Sequence, residues 1–188
     1  DGTGKSDGGW TIELVNPLLP CFNTGNWRAS NNSTGGTPGT INSVYDTTPD
    51  VVAPSIVAVN VLSNSQIEVV FNESIDTSSV SLLNTTFTVG RTATNITNVA
   101  NSFNSILIDV TPVLDTAIIY QLTLDSLMDC SGNMLSTFQS FVLANASDSS
   151  DLIVNEVLFD PFTGGFDFVE VYNNSDKYID IYGWSISN

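Results

Sequence analysis

The chain has 188 residues, which is enough for one or two domains with a buried core. It carries 20 acidic residues against 4 basic ones, a net charge of −16, and it contains no histidine. Nucleic acid and anionic membranes attract clustered Lys and Arg, so neither is expected as a partner. Without histidine, Ser-His and His-zinc chemistry are both excluded.

Only 13% of the residues are charged, and Ser, Thr and Asn are abundant, a composition typical of an extracellular β-protein. We expect no membrane insertion, because no apolar run approaches the roughly 20 residues that span a bilayer. No signal peptide opens the chain, so an exported protein would be a mature form or an excised segment.

The N-terminal tract is rich in turn-forming residues. "DGTGKSDGG" (1–9) superficially resembles a calcium loop, but Lys5 stands where a ligand would be needed, so we predict a hairpin loop. Residues 31–54 are rich in Gly, Pro, Ser, Thr and Asn and are predicted to be a linker. "ANASDSSD" (144–151) is predicted to be a second, shorter linker.

Between the linkers the pattern predicts β-structure. Short runs of β-branched and aromatic residues predict strands, and Gly, Asn, Ser and Pro clusters predict the turns between them; the strand candidates are 66–71, 105–110, 117–124 and 138–143. The only helical signal is one turn in "DTSSVSLLN" (76–84), capped by Asp76 or Thr77. Regular short strands favour an all-β sandwich or barrel.

Two segments in the middle carry a family resemblance. "TTPDVVAPSIVAVNVLSNSQIEVVFNESID" (47–76) and "YQLTLDSLMDCSGNML" (120–135) together resemble the bacterial Ig-like domains of S-layer and adhesin type. The resemblance implies an Ig-like β-sandwich, which we place at 49–147. Phe71 and Tyr120 are expected in its core, and Gly132-Asn133 is expected to form the turn into the last strand.

The two ends carry a second resemblance. "DLIVNEVLFDPFTGGFDFVEVYNNSDKYIDIYGWSISN" (151–188) resembles the beginning of a lamin tail domain, itself an Ig-like β-sandwich, with Tyr182 as a mild departure. "DGGWTIELVNPLLPCFNTGNWRASNNSTGGTPGTINS" (7–43) is similar to the end of the same module. This implies partial lamin-tail-like sandwich halves at 1–48 and 148–188.

An incomplete sandwich leaves apolar faces and unpaired strand edges, which attract another strand. The chain is then a window cut from a longer alternating array, or its halves complete one another across chains, or they pair within one chain as in a circular permutation. Several aromatic residues are expected to pack between modules rather than to form a carbohydrate platform; they are Phe159, Phe166, Phe168, Tyr172, Trp184, Trp10 and Trp27.

Acidic residues near the C-terminus are candidates for a catalytic or metal site. Glu156 and Glu170 resemble a glycosidase pair, but the lamin-tail resemblance places both in strands, so we predict no catalytic residue and no enzyme. We expect no cofactor other than calcium, which acidic extracellular modules use to rigidify loops; its predicted ligands are Asp160, Asp167 and Asp176. "DSLMDCSGN" (125–133) is predicted to be a tight turn rather than a calcium loop.

The sequence also bears on two covalent features, a disulfide and O-glycosylation. For Cys21 and Cys130 a disulfide and two free buried thiols are both open. An Asp-Ser/Thr pattern at Thr47, Thr116 and Ser126 resembles the O-glycosylation acceptor of some secreted Gram-negative bacterial proteins.

The sequence therefore predicts a non-catalytic extracellular segment at a bacterial cell surface, serving as a structural or adhesive repeat in a stalk or filament. Its partners would be neighbouring copies or repeats, joined by β-strand complementation. The alternative is an accessory glycan- or protein-binding module of a secreted enzyme.

Overall fold

The computed structural model describes residues 5, 8–19, 24–100 and 102–186. The predicted all-β fold is confirmed: the described residues contain strands and short 3-10 turns but no α-helix. None of the described helices is long and apolar enough to cross a membrane. The strands are β1 (Ile12–Leu14), β2 (Trp27–Ala29), β3 (Ile56–Ser63), β4 (Gln66–Phe71), β5 (Thr85–Phe87), β6 (Thr92–Asn98), β7 (Ser105–Thr111), β8 (Ile119–Met128), β9 (Met134–Val142), β10 (Leu152–Leu158) and β11 (Phe168–Asn173).

The central domain is one antiparallel sheet in the order β3-β4-β7-β6-β5-β8-β9. Its two end strands, β3 and β9, approach each other, so the sheet folds over its own inner face into a sandwich. Separate two-stranded sheets, β1-β2 and β10-β11, lie before and after it in the chain.

The core forms where apolar residues alternate along a strand, because successive side chains point to opposite faces. In β4 the inward residues Ile67, Val69 and Phe71 are no more than 1% exposed. Tyr120 is fully buried, and its hydroxyl accepts a hydrogen bond from the Asp115 backbone N–H at 2.8 Å. Phe71 and Tyr120 are thus confirmed as core aromatics, and burying each such side chain stabilises the fold by roughly 1.5–3 kcal/mol.

The turn into β9 was predicted correctly. Gly132 has φ +89°, a conformation that glycine adopts without strain. Asp129 Oδ1 accepts hydrogen bonds from the backbone N–H groups of Ser131 and Asn133, both at 2.8 Å. Side-chain caps of this kind define an Asx turn, as expected for 125–133. Asp76 likewise caps the 3-10 turn Thr77–Ser79, as predicted.

Three strands of the central sheet escaped the sequence pattern, and one of them, β5, has only three residues. β6 reads TATNITN, and its Thr and Asn residues gave no apolar alternation to detect. β3 lies in the tract 47–76, which carries the family resemblance.

The first linker prediction needs correction, because residues 31–46 belong to the N-terminal unit. Asn42 Nδ2 donates to the Leu14 carbonyl at 2.9 Å, and the Asp46 N–H donates to the Val15 carbonyl at 3.1 Å. These bonds hold the segment against β1, although its composition is that of a flexible loop.

Candidate functional site

Three carboxylates converge where the chain enters the central domain. Asp50 precedes β3, Glu73 follows β4, and Asp129 lies in the loop between β8 and β9. One oxygen from each lies within 4.8 Å of the others. Carboxylate oxygens at this spacing are a donor set that a hard cation such as calcium accepts.

The acid cluster Asp50/Glu73/Asp129 places its charges in different environments. Asp129 is 3% exposed, and its Oδ2 accepts a hydrogen bond from Asn133 Nδ2 at 2.7 Å. Burial raises the pKa of Glu73, and the negative charges of Asp50 and Asp129 raise it further, against a lowering hydrogen bond from Asn72. The negative charges of the cluster therefore repel one another, and binding of a proton or a cation reduces this repulsion.

Two clefts, of about 510 and 440 Å³, open beside the cluster. The larger is lined by Leu18, Leu19 and residues 47–50 on one side and by residues 128–132 on the other. Arg28 lines the smaller one together with Asp46. The N-terminal unit and the central domain thus meet at these two clefts.

A buried carboxylate organises the N-terminal unit. Glu13 is 4% exposed in β1 and accepts hydrogen bonds from Thr37 Oγ1 at 2.7 Å, Ser43 Oγ at 2.8 Å and the Ser43 N–H at 2.7 Å. Burial acts to raise the pKa of Glu13, but the hydrogen bonds from Thr37, Ser43 and Ser30 outweigh it and lower the pKa to about 2. Glu13 is thereby the anchor of the 31–46 segment.

The other end of the central domain has an ion-paired junction. Lys177 Nζ lies 2.6 Å from Asp148 Oδ2 and 2.8 Å from Asp151 Oδ2. Its hydrogen bonds to these two carboxylates raise the pKa of Lys177. The pKa of Asp151 is lowered, first by the Asp148 N–H and then by Lys177.

A groove of about 1070 Å³ runs between the end strands of the sandwich and the C-terminal tract. Residues 58–62 of β3 and 139–142 of β9 form two of its walls. The third wall includes Tyr178, Asp180 and Tyr182.

Comparison with known proteins bears on the central domain. The family model described as bacterial Ig-like domain matches residues 45–143, more than half of the chain. The chain belongs to the bacterial Ig-like domain family. This confirms the first resemblance and leaves the lamin-tail resemblance of the flanks as a prediction. No curated protein matches the chain.

Solved S-layer structures align with parts of the chain at low sequence identity. The surface layer protein SbsC, domains 1-6, aligns at 15% identity and a TM-score of 0.46, over 56% of this chain and 15% of that one. The N-terminal part of the bacterial S-layer protein SbsC aligns at 14% identity and a TM-score of 0.45, over 69% and 33%. The chain therefore spans a third or less of each structure.

In this bacterial Ig-like chain, the acids near the C-terminus do not form a cleft site. Glu156 and Glu170 are directly opposed in the β10-β11 register, are exposed, and line none of the three clefts above. Asp160, Asp167 and Asp176 are also exposed. Within the described ranges the three-carboxylate group is Asp50/Glu73/Asp129, so calcium at the other three stays a prediction.

Sequence reasoning missed the acid cluster because its members come from three loops far apart in the chain. In the sequence, Glu68, Glu73 and Asp76 alternate with apolar residues, a pattern that predicts a solvated sheet face rather than a ligand site. Asp129 was assigned to a turn, which is correct, and Asp50 was not singled out. No spacing rule joins such residues: Asp50 lies in the predicted linker, Glu73 just after the predicted strand 66–71, and Asp129 in the predicted turn.

The residues predicted to be covalently modified lie in different environments. Cys130 is buried and disulfide-bonded, whereas its proposed partner Cys21 lies outside the described residues, so the pairing stays a prediction. Thr116 is exposed, and Thr47 and Ser126 are half-buried. O-glycosylation at these three stays a prediction.

The aromatic residues assigned to inter-module packing remain largely in solvent. Trp10 is half-buried, with Lys5 Nζ 5.1 Å from its ring centroid, a cation–π contact. The others are exposed: Trp27, Phe159, Phe166, Phe168, Tyr172 and Trp184.

Proposed function

We propose that the chain is a non-catalytic structural segment of an extracellular, bacterial cell-surface protein. It joins neighbouring copies or repeats by β-strand complementation, as a stalk or filament unit does. Membership of the bacterial Ig-like domain family supports the structural role. The net charge of −16 supports it further, because it keeps such a segment soluble and discourages lateral clumping.

The observation that carries the proposal is the exposed hairpin β10-β11. Every residue of β11 is exposed, and β10 is exposed at all but its first residue. Phe159, Phe162 and Phe166, in the loop between the strands, are 82%, 96% and 86% exposed. An isolated two-stranded hairpin is marginally stable in water, so a further strand or sheet that covers these side chains stabilises it.

The flanking units fit halves of a larger module. Residues 1–48 and 148–188 contribute two-stranded sheets, β1-β2 and β10-β11, beside the Ig-like domain at 49–147. Each sheet falls short of the three or more strands that independent stability needs. We infer that both are parts of lamin-tail-like sandwiches completed by a neighbour.

Light scattering of the purified chain over a concentration series tests this proposal. We expect the molar mass to rise with concentration. Replacing the cross-strand partners Val154 and Val171 together by Lys should keep the chain monomeric, because the charges block the apolar face. Replacing Leu82 and Leu83 together by Lys, two exposed leucines of a 3-10 turn outside the strands, adds the same charge; it is the control and should leave assembly unchanged. A monomer at every concentration would refute complementation between chains.

A second candidate function is an accessory binding module for glycan or protein. The groove beside β3 and β9 favours it, since tyrosine rings with amide and carboxylate groups are typical of polar ligand sites. Screening the chain against neutral oligosaccharides, with Tyr182→Ala as the site variant, tests this function. Binding that survives the substitution would place the ligand elsewhere.

A further inference from the structure

The short linker after β9 is bonded at both ends to the tract that follows β11. The Asn145 N–H donates to the Tyr178 carbonyl at 2.7 Å, and the Tyr178 N–H donates to Asn145 Oδ1 at 3.3 Å. At the other end, the Asn174 N–H donates to the Asp151 carbonyl at 2.7 Å. A segment with the composition of a flexible linker is therefore held in one conformation.

We call the bonded contact between residues 144–151 and the tract after β11 the joint. Lys177 lies at its centre and forms ion pairs with both of its acids, Asp148 and Asp151. Asp151 is the better shielded partner, with a side chain 13% exposed against 80% for Asp148. Asp151 Oδ2 also accepts a hydrogen bond from the Asp148 N–H at 2.7 Å, which ties the linker to itself. Lys177 is the only basic residue after Arg91 in the sequence, so no other side chain there replaces its charge.

The joint also positions the C-terminal tract against the sandwich. Asn145 and Ile179 form a parallel bridge, and residues 177–180 line the groove beside β3 and β9. These are the end strands of the seven-stranded sheet. Their outer edges are where another strand would add. The position of the tract therefore decides how open those edges are.

We propose that Lys177 is an electrostatic lock on this joint, which fixes the direction of the β10-β11 hairpin and keeps residues 177–180 beside the edges of β3 and β9. The lock is inferred from the contacts of the joint. Only its purpose rests on the proposed structural function. In that function the lock sets the angle and stiffness between successive modules. Because its ion pairs are partly exposed, salt weakens it; the screening length falls from about 10 Å at 0.1 M to about 3 Å at 1 M.

Amide hydrogen exchange of the whole chain tests the lock at low salt and at about 1 M NaCl. In Lys177→Gln we expect exchange at Asn145 and Asn174 to rise about fivefold, the effect of losing about one ion pair, and to lose its dependence on salt. Lys177→Arg should retain protection. Arg91→Gln is the matched control, because it removes the same charge and another ion pair, the one that Arg91 forms with Asp115 in the central domain.

Equal exchange in wild type and Lys177→Gln would overturn the lock. A rise spread along β10 and β11 would also overturn it, since Lys177 would then support the hairpin itself rather than the joint. Light scattering on the same samples separates the two proposals. A permanent monomer with a salt-sensitive joint refutes complementation and keeps the lock, whereas an assembling chain with an unchanged joint does the reverse.

Discussion

Glu73 and Asp129 bring carboxylate oxygens within 4.8 Å of each other, although one follows β4 and the other precedes β9. Asp129 accepts hydrogen bonds from the backbone N–H and the side chain of Asn133. Burial raises the pKa of Glu73, and the charges of Asp50 and Asp129 raise it further. Removing the charge of Glu73 therefore reduces the repulsion at this junction.

Replacing Glu73 by Gln should stabilise the domain at neutral pH by about 0.5 kcal/mol, a value kept small because solvent screens the group. The folded-state pKa of Glu73 lies above its usual 4.5, so the folded state binds the proton more tightly. Its destabilising effect is absent below about pH 4.5 and grows as the pH rises through the folded pKa. Urea unfolding at about pH 4 and pH 7, in EDTA, measures this. Glu68→Gln in β4 is the control, and equal responses of the two variants would contradict the prediction.

Glu13→Gln should loosen the N-terminal unit selectively. With its pKa lowered to about 2, Glu13 stabilises the fold above the unfolded-state pKa of 4.5, and this stabilisation is lost as the pH falls toward 2. Amide exchange at Ser43 and Val44, whose N–H groups donate to Glu13, should rise in the variant and in acid. Exchange in β7 is the internal reference. Unchanged protection at Ser43 would show that the loop holds without this carboxylate.

Truncating a core phenylalanine should cost far more stability than truncating a hairpin phenylalanine. Phe71→Ala should cost about 3–5 kcal/mol, because Phe71 is 1% exposed and its removal leaves a cavity. Phe162→Ala should leave the unfolding free energy within about 0.5 kcal/mol, since the side chain lies in solvent. Denaturant midpoints of both variants measure the difference. A large loss for Phe162→Ala in dilute monomer would mean that another part of the chain covers this residue.

Cys130→Ser should lower the stability of the Ig-like domain by about 2–4 kcal/mol, the usual effect of removing a disulfide. The chain has two cysteines, so a non-reduced digest should yield one linked peptide pair containing Cys21 and Cys130. Mass spectrometry with and without reductant checks the pairing. A linked pair between two chains would place the bridge at an interface.

Much of the fold was predictable because buried positions and turns produce local patterns in the sequence. The alternation around Phe71 shows which face of β4 is inward, and Gly132 marks a turn because it takes positive φ. β6 gave no such pattern, since its strand is polar and its partners come from β5 and β7. The aromatic run after residue 155 predicted an uncovered surface, and the hairpin exposes it.

The sequence by itself determined the all-β class, the core of the Ig-like domain, and the many apolar side chains of the chain's C-terminal hairpin. These features depend on periodicity and composition within short segments. Only the tertiary structure decided which distant loops meet. It joined Asp50, Glu73 and Asp129 at one junction, and Lys177 with Asp148 and Asp151 at the other. Contacts between loops follow from how the strands pair, and pairing is a property of the whole sheet rather than of any one segment.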